Sequence, residues 1–261
     1  MSFKYLRIAQ HDHVQLVTFT RPARANAVNY DFLVEIEACA HALREAPEIR
    51  AVVFTGEGKH FSSGMDLEDD SGYDVPLLLR RRRIQAGARA ITALYGIDQI
   101  TIAAWRGAAM GGGACLTTAL DFRVGADNCF MCYPEIDIGM NLMWQSLPLA
   151  VHLVGPARAK RLVVGGEHIT APTLLDWGML DEMVVPEEVV PRAMKLATFY
   201  ASKPPLAAQM IKQSVNRIAS ALDHSIMHMD IDQNLLMRTT QDQSEAFAAY
   251  LAKRPPHFVG E

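Results

Sequence analysis

Apolar residues follow two spacings over the first three-quarters of the chain and keep only the helical one afterwards. Residues 5–8 and 14–20 are strand-like and flank a polar turn at 10–13, which predicts an opening hairpin. Phe32, Leu33, Ile36, Ala40 and Leu43 then recur at helical spacing, with Asn29 placed as N-cap and Pro47 as terminator. Residues 51–55 (AVVFT) and 100–105 (ITIAAW) are almost wholly apolar, as expected of strands covered on both faces. An irregular acidic stretch at 66–76 precedes a predicted helix from 77 to about 95. Helix-like spacing returns at 114–120, strands are predicted at 122–126, 129–132 and 183–185, and helices at 145–154, 157–164 and 171–177. Gly178 suits the C′ position of the last. Beyond 187 only helices are predicted: one ending near 202, one over 206–220, and a longer one to about 251. This order predicts an α/β core, residues 1–195, with a helical C-terminal appendage, residues 196–261.

Composition narrows the class. The 261 residues suit one large domain with a small appendage, and 50% apolar with 21% charged residues allows a sizeable core. A formal charge of −4 lacks the basic surface that nucleic-acid binding requires. Thirteen methionines read as core filler. The four cysteines, Cys39, Cys115, Cys129 and Cys132, are too few and scattered for a disulfide scaffold and suit a reducing compartment. Cys129 and Cys132 form a lone CxxC, a weak metal signal without a second pair or nearby histidines. No apolar segment of a signal peptide follows Met1, and no run approaches the ~18 apolar residues of a membrane span. The expected location is the cytoplasm.

Two glycine-containing loops carry the candidate chemistry. His60-Phe61-Ser62-Ser63-Gly64-Met65-Asp66 follows the strand at 51–55, and Arg106 to Gly113, ending in three glycines, follows the strand at 100–105. Glycine lets a ligand approach the backbone, and a helix starting after the glycines presents free N–H groups. One such donor from each loop would make an oxyanion hole, although each loop alone also reads as a tight turn. Neither matches a phosphate-binding loop or a dinucleotide fingerprint.

Taken in order along nearly the whole chain, these segments resemble the crotonase superfamily, the enoyl-CoA hydratase/isomerase family. Arg21-Pro22-Ala23-Arg24-Ala25-Asn26-Ala27 is similar to its "NRP…ALNA" segment, and Phe61 to Asp66 to its "F-x-x-G-x-D". Ala103-Ala104-Trp105-Arg106-Gly107 with Gly111-Gly112-Gly113 is similar to "AAVNG…GGG". Asp121-Phe122-Arg123, Pro134-Glu135-Ile136, Gly139 and Asp176 to Asp181 match further landmarks. The resemblance implies a spiral of ββα units whose helical C-terminal region supports a homotrimer or a dimer of trimers. It implies an acyl-CoA thioester substrate whose oxygen meets the N–H groups of Ser63 and Gly112. The CoA would run past Arg24, Ala25 and Ala27, then Ser63, Gly64, Met65, Asp66 and Leu67, with Gly111 and Gly112 beside the thioester. CoA belongs to the substrate, so no metal or redox cofactor is implied, and no nucleic-acid or membrane partner.

One departure bears on the reaction. Family hydratases commonly carry two glutamates, one two residues after the triple glycine and one after a later proline; here the first place is Cys115 and the second Glu135. Two carboxylates help to hold water for addition, whereas one base can move a proton between carbons. Leu142, Met143 and Trp144 replace the small glycine-rich turn of hydratases and resemble the apolar turns of family isomerases, so with Cys115 they are read as the acyl pocket. A drier pocket would raise the pKa of Glu135. The expected activity is therefore isomerase-like transfer by Glu135. The alternatives are a hydratase or CoA-thioester hydrolase using another partner, and an inactive CoA-binding subunit. Cys115 as nucleophile lacks a neighbouring histidine in sequence and reads better as buried filler. Asp137 and Asp66 read as structural, His60 as exposed, and the arginines at 80–83 as a solvated helix face rather than a phosphate site.

Overall fold

The computed structural model describes residues 3–68 and 75–261. The opening hairpin is β1 (Leu6–His11) and β2 (Val14–Phe19), tightened by Asp12 in the left-handed region (φ 50°). After α1 (Tyr30–Arg44), capped as expected by the Asn29 side chain accepting from Phe32 N–H, comes β3 (Ala51–Gly56), buried at every residue. Helices α2 (Leu77–Ile84) and α3 (Ala86–Tyr95) lead to β4 (Ile100–Trp105). Two strand–strand–helix units follow. They are β4, β5 (Ala108–Met110) and α4 (Gly112–Thr118), then β6 (Phe122–Ala126), β7 (Phe130–Cys132) and α5 (Leu147–Val163). Next come β8 (Ile169–Thr170), α6 (Ala171–Asp176), β9 (Glu182–Val184) and α7 (Val189–Ala201). The tail is α8 (Pro205–Ala219), α9 (His224–Met227), α10 (Asp230–Met237) and α11 (Gln241–Ala252).

The main sheet runs β1-β2-β3-β4-β6-β9; only the β1–β2 pair is antiparallel. Val53 of β3 lies between Leu16 and Ile102, the centre of the core. The smaller sheet is β5-β7-β8, so each of those two units places one strand in either sheet. Helix α7 crosses β2, β3, β4 and β6. Its buried Ala193, Ala197 and Ala201 recur every four residues, and small side chains on that stripe let the helix sit close to the strands. The division expected at 195/196 falls inside this helix. Among the described residues no helix is long and apolar enough to cross a membrane.

Local differences from expectation have physical causes. The helix expected from 77 to 95 breaks at Gln85, because α2 buries no residue while α3 buries six; the two halves answer to different surroundings. The expected pair of helices over 145–164 is present as the two halves of α5, separated at Gly155, whose φ of 77° and ψ of 164° are not helical, just before Pro156. The long final helix is instead α9, α10 and α11. Thr239 and Thr240 donate their hydroxyls to the carbonyls of Leu236 and Met237, and Thr240 then caps α11 by accepting from Gln243 N–H. The tail is anchored by Lys212 of α8, whose buried Nζ donates to Gln99 O (2.7 Å) and pairs with Asp121 (2.7 Å).

Candidate active site

The first glycine loop is fixed from below. Phe61 is fully buried and meets the Phe19 ring edge-on at 5.2 Å. Asn26, itself left-handed (φ 54°), donates to the carbonyls of Glu57 and His60, and Ser62 Oγ donates to Asn26 O. His60 is not simply exposed: its Nδ1 accepts from Ala108 N–H at 3.1 Å and ties the two loops together.

Following the N–H groups along this loop corrects the expected donor. Phe61 N–H donates to Arg106 O, Ser62 N–H to Ala108 O, and Ser63 N–H to Ala25 O at 2.9 Å. Gly64 N–H donates to Ser62 Oγ, and Asp66 N–H to Val28 O. Ser63 is therefore not a free donor, because its hydrogen is already committed to Ala25. Met65 N–H alone in this run has no acceptor among the described residues. It is the middle residue of a single parallel bridge to Val28, whose hydrogen bonds use its two neighbours.

In the second loop Met110 N–H donates to Ser62 O and Gly111 N–H to Cys132 O. Gly112 opens α4, so its N–H has no intrahelical acceptor, and the positive end of the helix lies there. The two loops touch: a Cβ on Gly64 (φ +88°) would lie 2.5 Å from Met110 O and 3.2 Å from Gly112 N. Only glycine tolerates both that conformation and that approach. The free N–H groups of Met65 and Gly112 thus flank one cavity of about 700 Å³, which Ser63, Gly64, Asp66 and Leu67 also line.

Glu135 faces these donors from a 3-10 turn, Pro134–Ile138. A Cβ on Gly111 (φ +48°) would lie 2.7 Å from its Oε1. Oε2 is shielded from solvent and has no hydrogen-bond partner among the described residues. Burial pushes this carboxyl up to about 7, slightly offset by a backbone hydrogen bond. Cys115 sits on α4 in the same wall and is fully buried. Burial, then the Glu135 charge, push its thiol far above the ordinary cysteine range, so it is a neutral thiol and a poor nucleophile. The other acid of the cavity, Asp66, is held by ion pairs to Arg21 (2.8 Å) and Arg24 (3.0 Å). Burial pushes Asp66 up, but those guanidinium groups bring it below the usual carboxylate range.

Leu142, Met143 and Trp144 form the apolar wall, as grouped from the sequence. Arg24, Ala25 and Ala27 lie outside it. Arg24 pairs with Asp66 and Glu68, while the carbonyls of Ala25 and Ala27 accept from Ser63 N–H and Arg21 Nη1. The acidic stretch expected at 66–76 is described only at its two ends. Arg238, Gln243, Phe247 and Tyr250, from α11 and the segment before it, also line the cavity. No local signal marks them; only the fold of the tail brings them there. All four cysteines are free and buried, and no cluster of metal-ligating side chains occurs among the described residues.

Two backbone donors and one poised carboxyl around an apolar cavity, in a wound strand–strand–helix scaffold, define a pocket suited to polarising a carbonyl. The family model for enoyl-CoA hydratase/isomerase matches residues 9–261. The chain belongs to that family, and its α/β fold is the crotonase-like one. It is 28% identical to the crotonyl-CoA hydratase of Syntrophomonas wolfei, over 100% of both chains. It is 27% identical to the peroxisomal Δ(3,5)-Δ(2,4)-dienoyl-CoA isomerase of Arabidopsis thaliana, over 99% of this chain and 98% of that one. An enoyl-CoA hydratase structure from Mycobacterium avium subsp. paratuberculosis, 22% identical, shares the fold with a TM-score of 0.87, covering 99% of this chain and 100% of that one.

Proposed function

We propose that this protein is an acyl-CoA enzyme that shifts a carbon–carbon double bond by proton transfer through Glu135. The thioester oxygen accepts from Met65 N–H and Gly112 N–H. Glu135 takes a proton from one carbon of the acyl chain, and the electron pair released moves into the thioester as a dienolate. The two donors stabilise the negative oxygen, and the proton returns at the other end of the allylic system. The observation that carries this reading is that Glu135 is the one carboxyl of the cavity wall without a cationic partner among the described residues, with a thiol at Cys115 beside it. CoA enters past Ser63, Met65, Asp66 and Leu67 and over the turn at Arg24, Ala25 and Ala27, while Cys115, Leu142, Met143 and Trp144 hold the acyl group. A homotrimer, or a dimer of trimers, is the proposed assembly.

Names among the relatives favour a second reading, hydration, which would need another group to hold water. The test follows solvent-deuterium exchange, double-bond shift and hydration of one enoyl-CoA side by side. Exchange and shift outrunning hydration support the proposal; fast hydration without either overturns it. Turnover that vanishes in Glu135→Gln excludes an inactive binding subunit.

A further inference from the structure

Trp144 reaches its place at a conformational cost. It and Gln145 are consecutive residues in the left-handed region (φ 65° and 58°), where side chains with a Cβ are uncommon. The indole lies in a slot between α3 and α4, where each helix makes room for it at a glycine. A Cβ on Gly87 of α3 would overlap Cε2 and Nε1 of the ring, and a Cβ on Gly112 would overlap Cη2 and Cζ3 at its other edge. The ring thus spans from α3 to the residue whose N–H opens the cavity.

This unusual turn is held from outside the core by the helical tail. Asp230, the first residue of α10 and 8% exposed, accepts from Gln145 N–H through Oδ2 at 2.7 Å. Asn141, four residues before Gln145, donates to Asp230 O at 3.0 Å, and Asn234 donates to Asn141 at 3.4 Å. On the other side Thr92 of α3 donates to Gln145 Oε1 at 3.0 Å. A short hydrogen bond to a backbone N–H is directional, and here it falls on the residue whose conformation aims the ring.

We infer that Asp230 is a positioning residue: its carboxylate holds the left-handed Trp144–Gln145 pair and so fixes the indole against Gly112 at the proposed thioester site. The inference rests on the reading of this cavity as the acyl site. Asp230 does not line the cavity; it acts through Trp144, and the tail is thereby part of the site's construction.

The test labels the full-length protein with 5-fluorotryptophan and records its fluorine spectrum. Of the three tryptophan signals, the one lost in Trp144→Phe belongs to Trp144. In Asp230→Ala the Trp144 signal shifts or broadens while those of Trp105 and Trp177 stay, and kcat/KM for double-bond shift falls by about tenfold, mainly in kcat. Asp230→Asn keeps an acceptor oxygen and retains both signal and rate within about twofold. The double variant Asp230→Ala/Gln145→Gly recovers the Trp144 signal, since glycine adopts the left-handed conformation without help; a cap serving only α10 would not be rescued this way. This double variant also serves if Asp230→Ala alone does not fold. An unmoved Trp144 signal in Asp230→Ala, or failure of Asp230→Asn to retain it, overturns the inference. The spectra need no substrate, so the acyl-site reading fails separately: the inferred positioning stands if the signal moves in Asp230→Ala yet 3-enoyl-CoA added to the unaltered protein leaves it unchanged.

Discussion

Replacing Glu135 by Gln separates the cost of burying a carboxyl from its use. In the folded protein this group titrates near 7 against an ordinary 4.5, chiefly because burial penalises the charged form. Between those values the unfolded chain has released the proton while the folded chain keeps it, so stability falls as pH rises through this window. Each pKa unit corresponds to about 1.36 kcal/mol, so the full shift costs about 3 kcal/mol above pH 7, most of it arising between pH 5 and 8. Glutamine has nearly the same shape and no charge to bury. Urea unfolding at fixed protein concentration should therefore show Glu135→Gln gaining about 2–3 kcal/mol on the unaltered protein between pH 5 and pH 8. The same variant should lose proton exchange at the acyl carbons. In the unaltered enzyme kcat/KM should fall about tenfold per pH unit below 7 and level off above it, because the ionised form is the base. A stability difference between the two proteins that does not change with pH would refute the reasoning, since the carboxyl would then be solvated.

Other consequences follow from the same geometry. Gly112→Ala and Gly112→Pro both press a Cβ on Trp144, but only proline removes the N–H, so steady-state kinetics should show the proline variant about a hundredfold slower than the alanine variant. Equal rates would remove Gly112 from the donor pair. Helix α8 exposes Leu206, Met210, Ile211, Val215 and Ile218 at 57–78% along its outer face, more apolar surface than a lone chain normally leaves in water. Sedimentation at micromolar concentration should give a trimer or hexamer, and Ile218→Asp should shift it toward smaller species; a monomer would contradict the proposed assembly. Cys115→Glu restores a second carboxyl beside Glu135 and should raise hydration relative to double-bond shift, read from both products in one assay. An unchanged product ratio would mean that water is excluded by the wall rather than by the missing group.

What the sequence disclosed follows physical range. Strands β3 and β4 are legible because cover on both faces makes them almost wholly apolar, and α1 because its cap and its buried stripe are both local. Strand β5 follows β4 after only two residues, within the second glycine loop, and β8 has only two residues, so neither stands out as a separate run. The glycine loops announce close backbone approach, but which N–H stays free depends on the Ala25 carbonyl arriving from a distant turn to occupy Ser63. That is why Ser63 N–H is committed and Met65 N–H, two residues along, is left without an acceptor among the described residues. The grouping of Glu135, Cys115 and the 142–144 turn follows the family pattern. The hold of Asp230 on Gln145 joins segments 85 residues apart and leaves no periodic trace.

The position of Trp144 connects the two halves of the chemistry. On the proposed mechanism, a base pushed up to about 7 by burial must lose its proton inside the cavity, and the donors must meet a developing oxyanion with little competing solvent. One ring serves both needs. It fills the slot between Gly87 and Gly112, so the donor N–H is bordered by an apolar edge, and with Leu142 and Met143 it forms the apolar wall shared by Cys115 and Glu135. A smaller residue would open that slot, let water solvate the carboxyl and return its pKa toward the ordinary range, weakening it as a base. The same opening would admit the water that hydration consumes. On the proposed mechanism, control of the reaction path lies in how firmly this turn is held as much as in the number of carboxyls, and the turn is held by Asp230 of the tail and Thr92 of α3 rather than by the sheet.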